Sequence, residues 1–412
     1  MAARFNSIPP NTKVKPKPFT FHVPEDEVQS FKVLLKHSKI GPKTFWNQQE
    51  DTNEFGVSRN WLIHAKETWL NKFDWRKHEA YINSFPNFQI PVVESPGGDG
   101  AKKEKDVNDI HFAALFSNKP DAIPLLFLHG FPAAFTEFLP VLELLAEKYT
   151  PETLPYHVIV PSLPDYGLSY SSPDAEMTVE RAAGIMNQLM VNLGFGDGYV
   201  VQGGDLGSMI ARIMSVEYDA CKAFHLNMLV LNPDQKEPPR DILSFSELQM
   251  LERTEKWRQT GLAYALEHGT RPSTAGLAIS TSPLAMLAWL GEKLLEWTDP
   301  SAGLPLDEIL STISFYWFTD TFSRSLYHAT LVKMALANKP HPISMSKPLG
   351  YSHFAHDLVI LPRAWAEEIY PNLMLYKSHS EGGHFASVER PREFLEDVEE
   401  FVAKVSELFG SK

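Results

Sequence analysis

The chain has 412 residues, with 51 Asp and Glu against 38 Lys and Arg, a formal net charge of −13. With 43% hydrophobic and 22% charged residues it reads as an ordinary globular protein rather than a disordered one. The acidic balance argues against a nucleic-acid backbone or an anionic membrane surface as main partner. A single cysteine, Cys221, excludes an internal disulfide and reads as a small buried apolar residue. No apolar run reaches the roughly 18 residues of a membrane span. The N-terminus has no apolar signal-peptide core, so a soluble cytoplasmic protein is expected.

In chain order, Pro24 followed by Glu25, Asp26 and Glu27 predicts a helix start, and Val28, Phe31, Leu34 and Leu35 recur on one helical face. A second helix is predicted over Trp61 to Phe73, leading into aromatic-rich segments around Trp75 and Phe88. Ser95 to Asp106, rich in Gly and Lys, reads as a linker. Beyond it, short apolar runs at Ile110–Leu115, Leu125–His129, His157–Val160, Tyr199–Gln202 and Ala223–Leu229 predict strands, with helices over Pro140–Lys148 and Val179–Leu193. That alternation implies βαβ units and a mostly parallel sheet. From Asn232 to Pro348 the pattern is helical and rich in Trp and Tyr. Strand and helix signals then return at Leu373–Tyr376 and Glu393–Leu408. The expected organisation is an N-terminal extension (1–95), a first core part (107–231), a helical lid (232–348) and a second core part (349–412).

The most informative stretch is Gln202-Gly203-Gly204-Asp205-Leu206-Gly207-Ser208, between a strand and a helical pattern. This is the layout of a nucleophile elbow with Asp205 where serine hydrolases place Ser. Taken alone, a Gly-rich turn with Asp205 as a helix N-cap explains it equally well. A carboxylate nucleophile suits displacement at saturated carbon, because it leaves an ester that water can cleave, and it is anionic at neutral pH without an activating base. About 75 residues upstream, His129-Gly130-Phe131-Pro132 follows a strand. Its Phe131 amide, with that of Leu206, is placed to hold an oxyanion, while His129 reads as an anchor of the loop. Downstream, Asp357 and then His384, in Glu381-Gly382-Gly383-His384, complete the order nucleophile, acid, histidine. His384 would activate water and Asp357 would orient it.

These residues resemble the epoxide hydrolases of the microsomal and fungal soluble type. The resemblance runs from Phe19 to Phe401 and includes Phe73-Asp74-Trp75-Arg76, Pro161-Ser162-Leu163-Pro164, Tyr166-Gly167 and Thr270-Arg271-Pro272. It implies an α/β-hydrolase fold with a mostly parallel central sheet, a helical lid and an N-terminal helical or meander extension. It also implies two lid tyrosines that protonate the epoxide oxygen. Tyr264, six residues before Thr270, matches the first. The second stands twelve residues after the Trp matched by Trp317, and that position is Ala329. Tyr327 lies two residues earlier, about 200° away on an undistorted helix. Either the lid is shifted and Tyr327 serves, or one donor is absent. No metal or organic cofactor is implied. The expected partners are a small-molecule epoxide and water, with a homodimer left open and neither nucleic acid nor a membrane anchor. A haloalkane dehalogenase, an epoxide-opening cyclase of secondary metabolism and a binding protein on a hydrolase scaffold are the rival readings.

Overall fold

A computed structural model describes residues 4–50, 53–94, 107–329 and 339–410. The linker expected at Ser95 to Asp106 lies outside the described residues. One nine-stranded sheet organises the chain: β1 (Lys17–Phe19), β2 (Asn87–Val93), β3 (Val107–Leu115), β4 (Ile123–Leu128), β5 (Tyr156–Pro161), β6 (Tyr199–Gly203), β7 (Cys221–Leu226), β8 (Leu349–Phe354) and β9 (Leu373–His379). Their order in space is β1-β2-β3-β5-β4-β6-β7-β8-β9. The first three pairings are antiparallel and the other five parallel.

Every residue of β4, β5 and β6 is buried, as expected for parallel strands covered on both faces. Helix Leu139–Lys148 packs with Pro391–Val405, and helix Val179–Asn192 with Asp205–Glu217. Cys221 is buried at the start of β7, and the apolar surroundings push its thiol up to about 12. No single helix among the described residues is long and apolar enough to cross a membrane.

The N-terminal extension is more than a helical preface. It supplies β1 and β2, and β2 pairs with β3 along its whole length, from Asn87 opposite Ala113 to Val93 opposite Val107. Its helices Glu25–His37 and Arg59–Asn71 run beneath the lid. The first has an acidic first turn and a basic last turn, which suits the helix dipole. The second is capped by Ser58, whose side chain accepts from the Trp61 amide.

Among the described residues, the lid comprises helices Phe245–Thr260, Ala263–Thr270, Pro272–Ile279, Pro283–Glu296, Leu306–Phe318 and Thr321–Arg324. A reciprocal capping box between Ser244 and Glu247 starts the first. Aromatic contacts lock extension to lid: Phe21 meets Phe315 at 5.7 Å between ring centroids, and Trp75 meets Phe318 at 4.9 Å. Trp69, 1% exposed, donates its indole N–H to Ser314 Oγ at 3.0 Å. Trp69→Ala would remove a fully buried ring and orphan that hydroxyl. It is expected to lower stability by about 3–5 kcal/mol, measured by urea unfolding.

Candidate active site

The turn after β6 is the tightest point of the fold. A Cβ on Gly203 would collide with the Gly207 carbonyl, and one on Gly207 with the Leu128 carbonyl at the end of β4. The two glycines therefore let strand and helix backbones touch. Between them Asp205 takes a left-handed conformation, φ +45°. For a non-glycine residue that costs about 1–3 kcal/mol. It lifts the carboxylate off the end of the sheet, where it faces two loops.

The first loop is His129-Gly130-Phe131-Pro132. The Phe131 amide donates to Asp205 Oδ1 at 2.7 Å, and the Leu206 amide also donates to this carboxylate. A Cβ on Gly130 would run into the Asp205 side chain. His129 anchors the loop: its Nε2 accepts from the Leu163 amide at 3.0 Å, so Nδ1 carries the proton and donates to the Gly130 carbonyl at 3.2 Å. Burial keeps this imidazole neutral, down at about 4.

The second loop carries His384. Its Nδ1 lies 2.8 Å from Asp357 Oδ1, which also accepts from the Leu358 amide at 2.7 Å. Its Nε2 lies 3.5 Å from Asp205 Oδ2. Burial alone would lower its pKa, but the charges and hydrogen bonds of Asp357 and Asp205 raise it to about 10. Burial raises the Asp205 carboxyl, and this is outweighed by His384 and by the Phe131 and Leu206 amides, leaving it below its usual value. The resting site is thus an imidazolium between two carboxylates. The lid fixes this loop: the His384 amide donates to the Trp297 carbonyl at 2.9 Å, and the Gly382 amide to Asp299 Oδ2 at 2.8 Å.

Tyr264 reaches this cluster from the lid. Its ring stacks on Phe131 (5.7 Å, 15°). Burial, and after it the charge of Asp205, holds its phenol protonated well above the usual range. Tyr327 sits elsewhere. It belongs to a 3₁₀ turn, Leu326–Ala329, and lines a separate cavity with Asp165, Ser171 and Arg324. The charge that acts on its phenol, besides burial, is that of Asp165. Three residues per turn put positions 327 and 329 about 240° apart, so the shorter turn does not bring Tyr327 round to the face of Ala329.

Two residues that the sequence reading did not single out adjoin the cluster. The neighbour of Tyr327, His328, stacks on Phe131 at 4.2 Å. It forms a relay in which Trp289 Nε1 donates to His268 Nε2 (3.0 Å), His268 Nδ1 to His328 Nε2 (3.2 Å), and His328 Nδ1 to the Ser325 carbonyl (3.0 Å). Burial holds both imidazoles neutral, near 3 and 4, so the relay has fixed tautomers and neither ring has an N–H left for a ligand. The second is Glu137, in the 3₁₀ turn Phe135–Phe138. The only sequence signal for it was a carboxylate set among Phe135, Phe138 and Leu139.

An elbow on a mostly parallel sheet, with an acid and a histidine following in that order, defines an α/β-hydrolase, here with Asp at the nucleophile position. Residues 16–138 match the family described as epoxide hydrolase N terminus, and residues 123–270 the alpha/beta hydrolase fold. A Dothistroma septosporum protein named "Putative epoxide hydrolase" is 44% identical over 97% of this chain and 92% of its own. The solved Aspergillus niger epoxide hydrolase is 43% identical, covers 98% of this chain and 100% of its own, and superposes with a TM-score of 0.88. Epoxide hydrolase 1 of Sus scrofa is 29% identical over 94% of this chain and 88% of its own. The chain belongs to the epoxide hydrolases of the α/β-hydrolase fold, and its substrates are an epoxide and water.

The raised pKa of His384 is also a statement about stability. Its ion pairs contribute fully below the unfolded value near 6.5 and are lost as pH rises through about 10. Relative to His384→Gln, the wild type is expected to lose stability between those limits, as read from urea midpoints at a series of pH values.

Proposed function

We propose that this enzyme opens an apolar organic epoxide to a vicinal diol through a covalent ester on Asp205. The observation that carries this reading is the division of labour across one carboxylate. Two backbone amides bind the group, with Oδ1 at 2.7 Å from Phe131 N, while Oδ2 faces His384. Such a carboxylate is anionic, aimed by a strained turn, and has its future carbonyl oxygen already in a donor pocket.

In the first half-reaction an Asp205 oxygen attacks an epoxide carbon. The C–O bond breaks, and Tyr264 gives its proton to the departing oxygen. Esterification removes one of the two anions beside His384, so its pKa falls. The imidazolium can then return a proton to the Tyr264 phenolate through the new hydroxyl and become a neutral base. In the second half-reaction that base takes a proton from water as the water oxygen bonds to the Asp205 carboxyl carbon. The tetrahedral oxyanion rests on the Phe131 and Leu206 amides. Collapse breaks the ester C–O bond, His384 protonates the diol oxygen as it leaves, and the Asp205 carboxylic acid then gives its proton to His384 Nε2, restoring the imidazolium between two carboxylates.

With Tyr327 in another cavity and the nitrogens of His328 engaged in its relay, Tyr264 is the proton donor in this proposal. Trp297, Phe131 and Tyr264 around the carboxylate favour an apolar substrate. Asp205→Ala is expected to abolish diol formation. Tyr264→Phe should slow ring opening about 10²–10⁴-fold, and Tyr327→Phe should leave it within about two-fold. A single turnover in ¹⁸O-water with excess enzyme decides the pathway. The label should appear in the peptide containing Asp205 and not in the first diol released; label in that diol would overturn the ester.

A further inference from the structure

Beside Asp205 and His384 lies a small cavity lined by Gly130, Glu137, Asn227, Phe385 and Phe394. The space it offers to water centres is about 10 Å³, enough for a single molecule. Glu137 is the one carboxylate on its wall besides Asp205. It accepts from Ser387 Oγ at 3.3 Å and from the Gly130 amide, the residue before the oxyanion donor. The charges that act on it are those of His384 and Asp205. Two donors leave lone pairs of the carboxyl free for the cavity. Tyr264 does not line this cavity.

We propose that Glu137 and the His384 imidazole together hold the water that cleaves the ester. A water donating one hydrogen to Glu137 and the other to neutral His384 Nε2 has its lone pair left for the Asp205 carboxyl carbon, the orientation that the second half-reaction needs. Only the His384-bound proton is transferred; Glu137 fixes the other hydrogen and touches the reacting water. Glu137 also lines a second cavity of about 430 Å³ between the N-terminal extension, the lid helix Leu306–Phe318 and the His384 loop. Ala133 and Phe385 border both spaces as well. A second space thus borders Glu137 from a side that Tyr264 does not line. Burial pushes the Glu137 carboxyl up to about 8, with Asp205 adding to the rise and His384 opposing it.

This inference rests on the ester reading, and stopped-flow single-turnover kinetics separates the two. His384→Gln should form the ester and hold it, seen as a mass increase on the Asp205 peptide; its failure to do so would sink the ester reading itself. Given that control, Glu137→Gln is expected to form the ester within about two-fold of the wild-type rate and to hydrolyse it at least about ten-fold more slowly, so that ester accumulates. Wild-type hydrolysis in this variant, or an equal fall in both steps, would overturn the role of Glu137. Ser387→Ala, which removes one donor to Glu137 and leaves its carboxylate in place, should slow hydrolysis alone, by about two- to five-fold; an unchanged hydrolysis rate there, with ester formation intact, would count against the proposal equally.

Discussion

Three backbone segments meet where β4 and β6 end and the following helix begins, and no side chain can stand between them. The carbonyls of Leu128 and Gly207 occupy the places where Cβ atoms at 207 and 203 would lie. That contact forces Asp205 into a left-handed conformation. The carboxylate is thereby held against the amide of Phe131, which sits on the adjacent loop because β4 is the parallel neighbour of β6. The same adjacency makes Gly130 obligatory, since any side chain there would occupy the space of Asp205. The placing of the Asp205 carboxylate and of the amides that face it is thus a consequence of one close approach.

In the proposed mechanism electrostatics then sets the order of events. A buried imidazolium between Asp357 and Asp205 is stable only while both are anions. In the proposed mechanism the group is a poor base in the resting site and becomes a base when one carboxylate is esterified. Asp357 keeps its hydrogen bond throughout and holds the ring in place, so the change in basicity needs no rearrangement. The neutral histidines around this site contrast with it. His129, His268 and His328 lie within the same packed region, each with a tautomer fixed by one donor and one acceptor, and they serve as rigid spacers.

Much of this arrangement is legible in the amino-acid order. β3 to β7 and β9 announce themselves by apolar runs between Gly, Pro and Asp, and the glycines of the elbow state the steric need directly. β8 escaped the sequence reading because Leu349-Gly350-Tyr351-Ser352-His353-Phe354 carries polar residues into a buried strand. They are tolerated because each finds a cross-strand partner, as when Ser352 Oγ meets His225 Nε2 at 3.0 Å. β2 was hidden by Pro91 and by the aromatic residues around it; its membership in the sheet depends on β3, beyond the segment expected to be a linker. The place of Tyr327 was undecidable from spacing, because the path of the lid backbone there is settled by packing, of Tyr327 on Tyr166 and of His328 on Phe131. Glu137 was silent for a similar reason. A single carboxylate has no periodicity, and only the fold shows that its neighbours are His384 and Asp205.

The strands of the extension are part of the sheet edge, and its helices, with the loop after β1, carry the lid through Trp69, Trp75 and Phe21. The lid is in turn tied to the His384 loop through Trp297 and Asp299. These contacts join extension, lid and the His384 loop into one continuous frame around the site. New substrate preferences in such a molecule have to arise by exchanging side chains inside a fixed frame, where each exchange is also a core mutation. Drift in specificity is therefore bounded by the stability reserve of the fold, and substitutions that tighten the seam between extension and lid widen the range of chambers the same backbone can tolerate.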